Sequence, residues 1–268
     1  MPKLSIVKIG GKVIDDLQSL SEFLTGFSLL PNPKVLVHGG GASATKLAKQ
    51  MGIPVQMVEG RRITDEKMLK VVVMIYAGWV NKQVVAMLQA RKNDAFGLSG
   101  ADFNLIRSVK RPSQPIDYGL VGDVQKINTE RLSKLLDENV VPVVAPITHD
   151  GAGNLLNTNA DTIATELAIA MSQHYEVRLG YCFEKSGVLS DSKDENSVVE
   201  NLKVSHYQQL KEAGNIHSGM IPKLDNAYRA AEAGVEVVKI MHHSDIHRWQ
   251  PDVPPEKLNF GTTLSNEQ

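Results

Sequence analysis

Twice within the first 41 residues a short apolar run ends abruptly in glycines and gives way to residues at helical spacing. Residues 4–9 run into Gly10-Gly11, and Val35-Leu36-Val37, followed by His38, runs into Gly39-Gly40-Gly41. A short, mostly apolar run that stops at glycines reads as a buried strand. After the first loop, Leu17, Leu20, Phe23, Leu24 and Phe27 predict a helix over 16–29, which Pro31 and Pro33 break. After the second, a helix is predicted over 42–51. Strand, glycine loop and helix in succession, and then again, constrain the chain to the α/β class: mostly parallel strands covered by helices.

The alternation continues. Residues 54–63 read as a short hairpin or lid turning at Gly60, and Thr64 stands where a helix cap is expected. One long helix is predicted over 65–91, apolar around most of its circumference through the block 71–75 and then Trp79, Val80, Val84 and Val85. Such a helix needs neighbours on all sides, so it is either a central core helix or also packs on a second subunit. Strands are predicted over 94–98, 140–144, 177–179 and 235–240. Helices are predicted over 129–136, 205–213 and 221–233, with another capped by Asn159 and running to about residue 173. Residues 103–128 read as a polar β-excursion with a Pro-rich turn at 111–115, and the acidic stretch 190–201 as an exposed loop. No repeat or low-complexity linker divides the chain, and the expected lobes are 1–174 and 175–268.

Composition removes several function classes. The formal net charge of −1 gives no global field for nucleic acid or an anionic membrane. Cys182 is the sole cysteine, so no intrachain disulfide forms, which fits a reducing compartment. The apolar run at 4–9 is too short for a signal peptide, and no run of consecutive apolar residues approaches a membrane span. A cytoplasmic enzyme or binding protein is expected.

Glycines let backbone N–H groups approach phosphate oxygens, and a helix that starts at the loop adds its positive end. Either cluster alone is an ordinary strand-to-helix turn. Two of them, with Lys8 beside the first, point to anion binding. There is no Walker A sequence. Gly39, Gly41 and Ala44 do fit G-x-G-x-x-A after a strand, with Glu59 near the acidic position, so a dinucleotide-dependent oxidoreductase competes. That reading leaves Lys8-Ile9-Gly10-Gly11 unexplained. His242, His243, Asp245 and His247 could be read as a transition-metal cluster, but no metal-site motif is completed, and the alternative is a polar connection after a strand.

Six pieces then fall into one order: Lys8 with Gly10-Gly11; the 38–41 loop; Gly60-x-Arg62; Asn157-x-Asn159-Ala160-Asp161; Gly219-Met220-x-x-Lys223; and Gly261-Thr262-Thr263-Leu264. In this order the chain resembles the amino-acid kinase family over essentially its whole length. The resemblance implies an open three-layer αβα sandwich around a mainly parallel sheet. The N-terminal lobe would bind an acyl-amino acid and dimerise, and the C-terminal lobe would bind ATP. It implies ATP-dependent phosphorylation of the side-chain carboxylate of N-acetyl-L-glutamate in arginine biosynthesis. N-succinyl-L-glutamate is the alternative acceptor, with Lys46 and Arg61 as partners for its extra carboxylate; aspartate, glutamate and carbamate are rivals within the family. Mg²⁺ would arrive with ATP, with no metal site of the protein's own.

By the same resemblance, Lys8 would hold the transferring phosphoryl group, Lys223 would neutralise the leaving side, and Asp161 would orient both lysines. Gly10, Gly11, Gly40 and Gly41 would donate amides to phosphate oxygens. Gly40, Gly41, Arg62, Asn157 and Asn159 would bind the acyl-amino acid. Retention of both lysines and Asp161 argues against a non-catalytic metabolite sensor. One departure stands out: many relatives carry Asp before a Gly-Val pair, and here the segment is Cys182-Phe183-Glu184-Lys185-Ser186-Gly187-Val188. Lys8 also comes too early to leave room for the extra N-terminal helix of arginine-inhibited hexamers, so neither a hexamer nor strong arginine inhibition is expected.

Overall fold

The computed structural model describes residues 1–191, 194–212, 216 and 220–265. Successive residues of the first strand, Lys3–Ile9, enter different cores. Leu4 and Ile6 pack with Val35, Val37, Leu179 and Ile240, while Val7 and Ile9 pack with Leu36, Val143, Cys182 and Met241. A strand's period of two thus gives a sheet buried on both faces, which is why these strands read as mostly apolar runs without strict alternation.

Eight strands form that sheet in the order Asn201–Lys203, Thr262–Ser265, Val237–His242, Glu176–Phe183, Lys3–Ile9, Lys34–His38, Val141–Val144, Ala95–Leu98. Every neighbouring pair is parallel except Val237–His242 against Thr262–Ser265. The late Gly261 signature therefore is a strand. Helices Ala160–Met171 and Ile221–Glu232 cover one face, and Leu17–Ser28 and Asn81–Gln89 the other, giving three layers. Lys34 anchors the second layer: its buried ammonium donates to the carbonyls of Phe27, Ser28 and Leu30 at the end of Leu17–Ser28.

Several expectations shift. Asp65, not Thr64, caps the long helix, accepting from the Met68 amide at 2.7 Å. That helix runs from Glu66 to Gln89, but Val73–Val80 winds as π-helix between two α segments. By length and mean hydropathy it could cross a membrane, although Lys70, Asn81 and Lys82 interrupt its apolar residues. One side packs into the core, and Met74 and Trp79 are exposed on the other. The strand expected at 235–240 is Val237–His242. Gly234, at φ +89°, ends the preceding helix, and the Gly234 and Val235 amides bond back to Ala231 and Ala230.

The β-excursion is Ile106–Lys110 paired with Gly122–Ile127. It joins a four-stranded sheet with Ile147–His149 and Leu155–Asn157. These last two strands have three residues each, too few for alternation to register in the sequence. The hairpin over 54–63 pairs Met57–Val58 with Arg61–Arg62. Glu59 and Gly60 both have positive φ, as a tight two-residue hairpin turn demands. The helix expected over 205–213 is Val204–Glu212, and Ala213 lies outside the described residues. In the acidic loop, Leu189 bridges Val198.

Candidate active site

Lys8 and Asp161 meet because of strand alternation. Lys8 points to the same sheet face as Leu4 and Ile6, the face covered by Ala160–Met171. Asn159 caps that helix, its side chain accepting from the Thr162 amide at 3.0 Å, which puts Asp161 in the first turn. The Lys8 ammonium lies 2.7 Å from the Asp161 carboxylate, and both side chains are almost fully buried. A buried ion pair of this kind is tolerated because each charge answers the other.

The two glycine loops face each other above this pair. A Cβ on Gly11 would come within 4.0 Å of the Gly41 nitrogen. Gly11 and Gly41 are the first residues of Gly11–Asp15 and Gly41–Gln50, so their amides have no intrahelical acceptor, and neither helix has a side-chain cap. Gly10 sits differently. Its amide is taken by the Cys182 carbonyl at 2.9 Å, so the amide turned to the cleft is that of Gly11. Gly40 adopts φ +149°, and a Cβ there would strike the Tyr76 ring at 2.9 Å. Tyr76 belongs to the π-helical turns of Val73–Val80, so the irregular winding sets the wall against which the loop closes. Burial raises the Tyr76 phenol's pKa despite Arg62 beside it.

His38 holds the second loop from behind. Its Nδ1 lies 2.8 Å from the Gly39 carbonyl and its Nε2 3.1 Å from Asn81 Nδ2, which also donates to the Val143 carbonyl. Both Asn81 amide protons are thus spent as donors, so Nε2 accepts and Nδ1 carries the proton. Complete burial pulls His38 down to about 4, the Gly39 bond opposing, so the ring is neutral at physiological pH.

A cleft of about 570 Å³ opens in front of these groups. Lys8, Gly11, Gly40, Gly41, Arg62, Asn157, Asn159 and Asp161 line it, so residues far apart in sequence converge. Arg62 is buried, and its Nη2 donates to the Gly41 carbonyl at 2.9 Å and to Thr45 Oγ1 at 2.8 Å. Asn157 donates to Thr64 Oγ1 at 3.0 Å, so the fully buried Thr64 hydroxyl holds Asn157 instead of capping the helix. Lys12, Arg61, Tyr76 and Arg111 also line the cleft, and motif reasoning assigned none of them to it except Arg61. Arg111 forks onto Asp123. Lys46 is exposed on the loop's helix and does not line the cleft.

Lys223 approaches from Ile221–Glu232 beyond the cleft lining, its ammonium 3.9 Å from the centre of the Phe183 ring. Burial lowers its pKa first and the Lys8 charge next, against the pull of Asp161 and Glu184. Glu184 pairs with Lys12 at 2.7 Å. Burial pushes the Glu184 carboxyl up, but the bond to Lys12 and its own backbone amide outweigh this and hold it low. Gly219, which opens the fifth motif, lies outside the described residues. Among the described residues no group of three or more His, Cys, Asp or Glu side chains is placed to hold a metal ion. His242 Nδ1 contacts Ser244 Oγ and His247 Nδ1 the Ser244 carbonyl, so these histidines brace a turn.

Residues 3–242 match the amino acid kinase family. The chain belongs to that family. An acetylglutamate kinase of Bacteroides fragilis is 53% identical over 245 residues, covering 91% of this chain and 94% of that one. A Streptococcus mutans UA159 protein of known structure superposes with a TM-score of 0.78 at 26% identity, over 98% of both chains. Giardia lamblia carbamate kinase bound to AMP-PNP gives 0.70 at 14% identity over 99% of both, a likeness of fold alone. With an acetylglutamate kinase 53% identical over most of its length, the chain is a kinase, and the dinucleotide reading of the glycine loop at 39–41 is not favoured. Glu59 accordingly sits in the turn of the hairpin, within 3.5 Å of the Tyr118 hydroxyl.

Proposed function

We propose that this cleft transfers the γ-phosphoryl group of ATP to the side-chain carboxylate of N-acetyl-L-glutamate, giving an acyl phosphate for arginine biosynthesis in the cytoplasm. The observation that carries the reading is the buried Lys8–Asp161 pair beneath two opposed glycine loops. A carboxylate oxygen attacks the γ-phosphorus, the bond to the bridging oxygen breaks, and its electron pair leaves with ADP. No proton moves, so no general base is required. The task is to bring an anion to a polyanion, which calls for positioning and positive charge.

Lys8 holds the transferring group, with Asp161 fixing the lysine's position. Lys223 takes up charge on the leaving side. The Gly11 and Gly41 amides face the phosphoryl oxygens, with Gly10 and Gly40 shaping the two loops. Arg62, Asn157 and Asn159 hold the amino-acid end, Arg62 through a guanidinium that matches a carboxylate. Mg²⁺ would arrive with the nucleotide and would neutralise phosphate charge, while Asp161 is already paired with Lys8. Residues 1–174 form the acyl-amino-acid lobe and 175–268 the nucleotide lobe. In this reading the strands Lys3–Ile9 and Glu176–Phe183 belong to different lobes and pair side by side, with Lys8 opposite Tyr181.

An ATP-dependent hydroxamate assay tests the reaction, since hydroxylamine traps acyl phosphates. N-acetyl-L-glutamate is expected to give trapped product at rates above those of aspartate, glutamate and carbamate. No ATP-dependent product with any of them would remove the proposed reaction.

The long helix is proposed to join two copies of the chain. Trp79 is 66% exposed and Met74 46%, and Phe96 is exposed on the edge strand Ala95–Leu98. Exposed apolar groups of this size on neighbouring elements suit a two-fold interface. Light scattering should give a dimer at micromolar concentration and a monomer for Trp79→Glu. A monomeric unmodified protein refutes the interface.

A further inference from the structure

Two ammonium groups converge on one aromatic ring. Lys223 Nζ lies 3.9 Å from the centre of Phe183 and Lys8 Nζ 5.0 Å. Lys8 has a carboxylate partner; among the described residues Lys223 forms no ion pair. Like charges repel, so something must hold the second lysine beside the first. The face of an aromatic ring attracts a cation through its quadrupole. Unlike a carboxylate, it leaves the lysine's charge unneutralised and its N–H donors free for phosphate oxygens.

The ring itself is fixed. Phe183 is buried and lies nearly parallel to Tyr181, with centroids 6.4 Å apart. The Tyr181 hydroxyl meets Thr165 Oγ1 at 2.6 Å, one turn along the helix that carries Asp161. On another side Gly10 leaves room, since a Cβ there would come 3.0 Å from the ring. Phe183 also falls in the segment that departs from the family pattern, and no motif accounts for it.

We infer that Phe183 is a positioning residue for phosphoryl transfer, a platform that holds Lys223 beside Lys8 before the phosphates arrive. This rests on the kinase reading of the cleft. Two measurements on Phe183→Leu and Phe183→Tyr separate the two ideas. The first is kcat and KM with N-acetyl-L-glutamate and ATP, together with the melting temperature. Phe183→Leu is expected to lower kcat about thirtyfold with the acceptor KM changed by no more than about twofold, and Phe183→Tyr to recover most of the loss. The second is acetylation of Lys223 by acetic anhydride at mildly alkaline pH, followed by mass spectrometry, which needs no turnover. Lys223 should react faster in the leucine variant and at the original rate in the tyrosine variant. Should Phe183→Leu not fold, Gly10→Ala, which crowds the ring from its open side, is expected to speed Lys223 labelling in the same sense. Unchanged labelling, or a tyrosine variant as slow in kcat as the leucine variant, overturns the platform. Absent turnover by the unmodified protein overturns the kinase reading instead.

Discussion

Lys8→Ala is expected to lower kcat by about a thousandfold, and Lys223→Ala by about a hundredfold, because in the proposed reaction each removes a charge aimed at the phosphoryl group. The double variant should be less damaged than the product of the two factors, since both lysines lie over the Phe183 ring and are expected to act as a unit. Asp161→Ala should harm the fold as well as the rate. It strands Lys8 as an unpaired buried charge, a loss of about 3–5 kcal/mol. Steady-state kinetics and denaturant titration of the four proteins decide this. A Lys223→Ala enzyme with near-normal turnover removes that lysine from the reaction, and strictly multiplicative losses show that the residues act independently.

The second large effect concerns Arg62. Arg62→Lys keeps the charge but loses the fork, and Nη2 alone now supports two contacts, to Gly41 and Thr45. The KM for the acyl-glutamate should rise by about tenfold to a hundredfold, with the KM for ATP nearly unchanged. Because Arg62 also braces the second glycine loop, the control is Thr45→Val, which removes one brace and leaves the guanidinium in place. Equal rises in both KM values for Arg62→Lys would make Arg62 a strut of the loop and not a substrate ligand.

The individual elements were legible because their cause is local. Val35-Leu36-Val37 is apolar at every position because the strand is buried on both faces, and that needs no knowledge of its neighbours. Asn159 announces a helix start because its side chain satisfies an amide three residues on. The glycine loops announce themselves for the same reason: Gly40 stands at a φ that L side chains rarely adopt. The order of the motifs carried the site list further than any one residue could.

What stayed hidden depended on partners distant in sequence. Thr64 and Asp65 are both good caps, and only the path of the chain past Asn157 decides that Thr64 turns inward and Asp65 caps. The contact of Tyr76, in the π-helical turns of Val73–Val80, with Gly40 joins positions that no window over 65–91 contains. Phe183 reads as one more apolar residue at the end of a strand until Lys223 arrives over its ring. By itself, then, the sequence determined a mostly parallel α/β chain with two glycine turns at strand ends and charged residues near them, since burial pattern and backbone freedom are properties of short segments. The tertiary structure decided which charges are paired, which amides face the cleft and which ring the lysines share, because those depend on distances that only the folded sheet brings within a few ångströms.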